Sequence, residues 1–67
     1  MEGVNRRIKA FRKLKGFTQL QLAKMIGVSV SILGAVERGR RGPDLILLEK
    51  ISVVLKVSVD ELLSKKN

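Results

Sequence analysis

The stretch from Thr18 to Glu37, TQLQLAKMIGVSVSILGAVE, carries two helix-start signals with a single glycine between them, and that spacing leaves the chain few options. Thr18 has N-cap chemistry, and Gln21 three residues on can reach back to the Thr18 backbone N–H, so Thr18-Gln19-Leu20-Gln21 forms a capping box. The helix it opens is expected to close at Gly27, which adopts the left-handed conformation cheaply, and Ser29 offers the N-cap of the next. About three residues remain between the two helices, enough only for a sharp corner. Leu22, Ala23 and Ile26 share one face of the first helix, and Leu33 and Val36 one face of the second. Ala23 allows close approach, and Val28 in the corner is the natural plug.

The flanking segments read as further helices. Between Asn5 and Lys15, Ile8, Phe11 and Leu14 recur every third residue among Arg6, Arg7, Lys9, Arg12, Lys13 and Lys15, which describes an amphipathic helix with a basic outer surface. Gly16 ends it, and Phe17 packs from the bend. After Glu37, Gly39 stops the third helix and Asp44 caps a fourth, LILLEKISVVL, with Leu45, Leu48, Ile51 and Leu55 assigned to its core face. A strand competes for so β-branched a run, but a short loop and helical neighbours argue against an orphan strand. Ser58-Val59-Asp60-Glu61 is a second capping box, opening a helix anchored by Leu62 and Leu63. Residues 1 to 4 and Lys65-Lys66-Asn67 read as loose ends. The expected fold is all-α, one domain over residues 1–67 with its core at about 5–64, and helices at about 5–15, 18–26, 29–37, 44–55 and 58–64.

Composition removes whole classes of function. The chain has no cysteine and no histidine, so disulfides, thiolate or imidazole metal sites and the usual catalytic triads are excluded. The six carboxylates are absorbed by caps, an ion pair and surface positions, and no tyrosine is present, so no catalytic residue, metal ligand or cofactor is assigned and enzymatic activity is not expected. The apolar runs are too short for a membrane span or a signal-peptide core, which points to a soluble protein, and the lack of cysteine fits the cytoplasm. Fourteen Lys and Arg give a formal charge of +8, which points to a polyanion, nucleic acid before an anionic membrane. Excess charge serving only solubility is the plain alternative.

The segment with Thr18-Gln19, Leu22-Ala23, Gly27-Val28-Ser29, Leu33, Val36-Glu37-Arg38-Gly39 and, downstream, Pro43 resembles the helix-turn-helix of the phage repressor and Cro type, the xenobiotic-response-element family of bacterial regulators. The resemblance covers about Ile8 to Leu63 and implies a five-helix domain that lays its third helix in the major groove of double-stranded DNA. It implies that Arg12 and Glu37 form a structural ion pair locking the first helix to the third. It places backbone phosphate contacts in the loop after Glu37, where Arg38, Arg40 and Arg41 supply guanidinium groups that grip phosphate bidentately. Gln19, at the start of the second helix, adds a phosphate donor.

In such regulators the outward positions near the start of the third helix read bases; here they are Val30, Ser31, Ile32, Gly34 and Ala35. None can make a bidentate contact to a base edge, so only a serine hydroxyl and contact with thymine methyls remain. That gap keeps a second reading open, a protein-interaction module whose apolar outer face, with Leu20 beside it, docks a protein partner. Ile46 with Val53 and Leu47 with Val54 are left on helix faces that a monomer would wet, which predicts a homodimer interface there.

Overall fold

The computed structural model describes residues 3–63, and among them the chain forms five helices and no strand. They are α1 Val4–Leu14, α2 Gln19–Ile26, α3 Val30–Glu37, α4 Leu45–Leu55 and α5 Val59–Leu63. The expected tail at Lys65-Lys66-Asn67, and the first residues of the expected loose start, lie outside the described residues.

Local chemistry sets most of the boundaries. Thr18 Oγ1 accepts from the Gln21 backbone N–H at 3.0 Å while Gln21 Oε1 accepts from the Thr18 N–H at 2.9 Å, which completes the first capping box. Ser58 and Glu61 repeat the exchange at 3.0 and 2.8 Å ahead of α5. Ser29 Oγ and Asp44 Oδ1 cap α3 and α4 through the N–H groups of Ile32 and Leu47. Each cap satisfies a backbone donor that a helix start would otherwise leave unpaired. Gly27 closes α2 at φ 77°. Lys56 takes the left-handed conformation after α4 at φ 58°, a position where glycine is usual and where the sequence carries no signal.

Ile8, Leu22, Ala23, Ile26, Leu33, Val36, Leu48, Ile51, Leu55 and Leu62 form one core to which all five helices contribute. Val28, the expected plug, and Phe17 pack against it from the two bends. Two expected core residues do not join it: Leu14 is 75% exposed and Leu45 61%. The reason is helical phase. At about 100° per residue, Leu14 lies six residues beyond Ile8 and Leu45 six before Ile51, so each has rotated about 120° off the core face. Arg12, four residues from Ile8, lies within about 40° of it by the same count and is buried. Leu47 and Val54 are corrected in the opposite direction. They flank Ile51 closely enough to pack half-buried against the core, whereas Ile46 and Val53, a step further round, remain exposed at 66% and 75%.

Candidate nucleic-acid interface

α2 and α3 meet at 111°, held apart by no more than Gly27, Val28 and Ser29. The corner buries Leu22, Ala23 and Ile26 against Leu33 and Val36, so the opposite surface of α3 faces away from the protein. A protruding short helix braced by a second one at this angle is the shape that enters a major groove.

What fixes the direction of α3 is a polar network at its C-terminal end. Arg12 Nε donates to Glu37 Oε2 at 2.7 Å and Arg12 Nη2 to Glu37 Oε1 at 3.1 Å, a two-point pairing between side chains that are 8% and 1% exposed. Arg12 Nη1 donates to the Phe17 carbonyl at 2.9 Å, so the same guanidinium also holds the bend between α1 and α2. Gln19 Nε2 donates to Glu37 Oε1 at 2.9 Å, bringing the start of α2 into the same knot. Asn5 Nδ2 donates to the Val36 carbonyl at 2.7 Å, satisfying a backbone acceptor at the end of α3. Every buried side-chain nitrogen and oxygen among the described residues has a partner, the condition under which an ion pair can sit in a small core without a large net cost. Asn5 carries no sequence signal for this role, because its partner lies thirty-one positions away.

The expected groove residues are not equivalent in place. Val30 is 41% exposed and Ser31 is exposed, while Ile32 and Ala35 are half-buried. Gly34, expected on the outer face, is buried. A Cβ built on it would stand 3.0 Å from Arg38 Nη1 and 3.7 Å from Gln19 Oε1, so the bare glycine lets the Arg38 side chain lie back along α3 toward the start of α2. Gln19, expected to donate to phosphate, gives one of its two amide N–H groups to Glu37, and its half-buried side chain stays at the α2 N-terminus.

The cations flank α3 on both sides. Arg38 is exposed at its C-terminal cap. The chain then reverses through Gly39, at φ 81°, and Arg40 and Arg41 are exposed on the loop. Arg41 lines a hollow with Val28, Ile32, Leu47 and Lys50, beside the N-terminal half of α3. The outer surface of α3 is thus apolar along its middle and positive at its margins. Among the described residues no group of acids could hold a metal ion, and no single helix is long and apolar enough to cross a membrane.

Comparison with known proteins agrees with this geometry. The helix-turn-helix family model matches residues 8–62. A helix-turn-helix-type transcriptional regulator of Bacillus subtilis, YazB, itself uncharacterized, is 56% identical over 57 residues, which are 85% of this chain and 83% of that one. The B. subtilis regulator SinR is 43% identical over 65 residues, 96% of this chain but 59% of SinR, so the chain spans little more than half of that relative. A structure of SinR, described as the master regulator for biofilm formation, in complex with DNA superposes with a TM-score of 0.83 at 43% identity, covering 88% of this chain and 95% of that one. SinR has also been solved in complex with the SinI protein, with a TM-score of 0.86 at 43% identity over 96% of this chain and 63% of that one. The P22 c2 repressor bound to a synthetic operator reaches 0.88 at 33% identity, covering 98% of this chain and all of that one.

Proposed function

The chain belongs to the helix-turn-helix family of the phage repressor and Cro type, and on that premise we propose that it acts in the cytoplasm as a DNA-binding transcriptional regulator that sets α3 in the major groove and draws most of its affinity from phosphates. One observation carries this reading: a helix locked at 111° by the Arg12–Glu37–Gln19 network, with an outer face free of protein and cations at both margins. The N–H groups at the start of α2, Arg38, Arg40 and Arg41 supply the backbone contacts, in keeping with helix-terminus and guanidinium chemistry. Val30, Ser31, Ile32 and Ala35 offer thymine methyls apolar contact and at most one hydroxyl hydrogen bond, so sequence preference is modest and depends on DNA shape.

Such a module reads two half-sites about one helical turn apart, and a two-fold axis follows. We place that axis at the outer face of α4. Ile46 and Val53 stand exposed there, with Leu47 and Val54 half-buried beside them. Sedimentation should give a dimer for the wild type at high concentration or on DNA, and a monomer for Ile46→Lys with Val53→Glu. Both positions are exposed, so the fold should survive the change.

The decisive experiment is a titration with random and with selected duplexes at several salt concentrations. With about six phosphate contacts in a dimer, log K should fall against log salt with a slope of about −5. Arg40→Ala or Arg41→Ala should weaken binding to all sequences alike and flatten the slope by about one unit per lost contact. A preference of four orders of magnitude for one site over random duplex would contradict the modest specificity proposed. Failure to bind any duplex at low salt would favour a second reading, a protein-docking module, which the exposed Leu20 and Val30 and the SinR–SinI complex both support.

A further inference from the structure

The basic outer surface of α1 has no part in the binding mode described so far. Lys9 and Lys13 are exposed, and with Arg6, Ala10, Glu37 and Arg38 they line a shallow groove between α1 and the C-terminal end of α3. Among the described residues the groove contains a single acid, Glu37, and that carboxylate is already engaged by Arg12 at two points and by Gln19. With its side chain 1% exposed, Glu37 presents almost nothing to a ligand in the groove and leaves Lys9 and Lys13 at its wall un-neutralised. Arg38 belongs both to this groove and to the seat over Gly34 next to Gln19, which makes the groove continuous with the start of α2.

We propose that the α1–α3 groove is a second phosphate track, along which the backbone of the same duplex runs beyond the segment covered by α3. The inference rests on the DNA-binding reading above and deepens it. The lining suits a repeating anion better than a protein. Among the described residues its one apolar member is Ala10, too small to anchor a partner, and its lysines are point charges that position a backbone without reading sequence. From Lys9 to Lys13 the helix axis advances about 6 Å at about 1.5 Å per residue, and at a spacing of four residues the two lysines share one face of α1.

The test compares the whole wild-type chain with Lys9→Gln/Lys13→Gln and with a control of equal charge loss, Lys24→Gln/Lys56→Gln. The control cations stand on α2 and at the C-terminal cap of α4, outside the groove and outside the hollow beside α3. All four lysines are exposed, and circular dichroism verifies that each variant is folded. Salt slopes are measured by fluorescence anisotropy on random-sequence duplexes of about one and a half and about three helical turns. On the short duplex, where only the contacts around α3 form, all three should converge near the slope of about −5 per dimer; on the long duplex wild type and control should be steeper than that by about two units per bound protomer, and the groove variant should not. Equal slopes for wild type and groove variant on the long duplex would overturn the proposal. So would a difference that persists undiminished on the short duplex, because the lysines would then contact phosphates under α3 itself. An equal loss in the control would reduce the effect to overall charge and overturn it too. If the wild type binds neither duplex, the DNA-binding reading falls first and the track with it.

Discussion

The two ends of α3 are built on opposite plans. At its C-terminal end, Glu37 is buried and gathers Arg12 and Gln19 around one carboxylate, while Asn5 takes the carbonyl of Val36 and Arg38 folds back over Gly34. At its N-terminal end a lone serine cap is followed by Val30 and Ser31, exposed and without any side chain that reaches far. The contrast separates two tasks that a recognition helix usually combines. Holding the helix at a fixed angle requires directional polar contacts from neighbouring elements, and these are concentrated where α1, α2 and α3 converge. Reading bases requires long polar side chains on the outer face, and this chain places none there. The helix is firmly aimed, and its outer face carries no long polar side chain at Val30, Ser31, Ile32 or Ala35.

The largest effect expected from breaking this contrast is on stability. Arg12→Ala or Glu37→Ala strands a buried charge and should cost about 3–5 kcal/mol, whereas Lys13→Ala, on the exposed side of the same helix, should stay within about 0.5 kcal/mol. Urea denaturation measures both, and a double-mutant cycle should find Arg12 and Glu37 strongly coupled. Additive behaviour would mean that the C-terminal end is not a network.

A smaller effect tests the other end. Val30→Gln gives α3 a side chain able to pair bidentately with adenine, and a gain of about 1–3 kcal/mol in discrimination between duplexes is expected, with no loss of folding stability. Selection from a random duplex pool would reveal it. An unchanged sequence profile would show that position 30 does not reach the base edges.

The smallest effect joins the two ends. Gly34→Ala removes a helix-interior glycine and should stabilise the fold by about 0.5–1 kcal/mol. The added methyl would also displace the mobile end of Arg38, now 3.0 Å from where it would stand, so duplex affinity should fall slightly while the melting temperature rises. If both rise together, Arg38 does not need its seat over Gly34.

Much of this molecule was legible before any coordinates. The four side-chain caps at Thr18, Ser29, Asp44 and Ser58 are local, each acting over three residues, and every one forms. The pairing of Arg12 with Glu37 followed from the family resemblance, because nothing local links positions twenty-five apart. Reading by threes misplaced Leu14 and Leu45, since two steps of three residues drift about 120° from the face where they began. The same arithmetic, applied to steps of four, would have brought Arg12 inward. The position of Gln19 at a helix start suggests an outside anion, whereas the bond from one of its two amide N–H groups to buried Glu37 spans eighteen positions and has no local signal.

The sequence by itself determined the five helices, their order, the corner between α2 and α3 and the excess of positive charge, because caps, glycine stops and apolar periodicity act within a turn or two of the chain. Only the tertiary structure decided which cations face which surface. That Arg38 lies over Gly34, that Lys9 and Lys13 share a groove with it, and that Glu37 is screened from that groove all depend on how α1 crosses α3. That crossing is set by the joint packing of Ile8, Leu33 and Val36 with the buried ion pair, and no local pattern in the sequence encodes it.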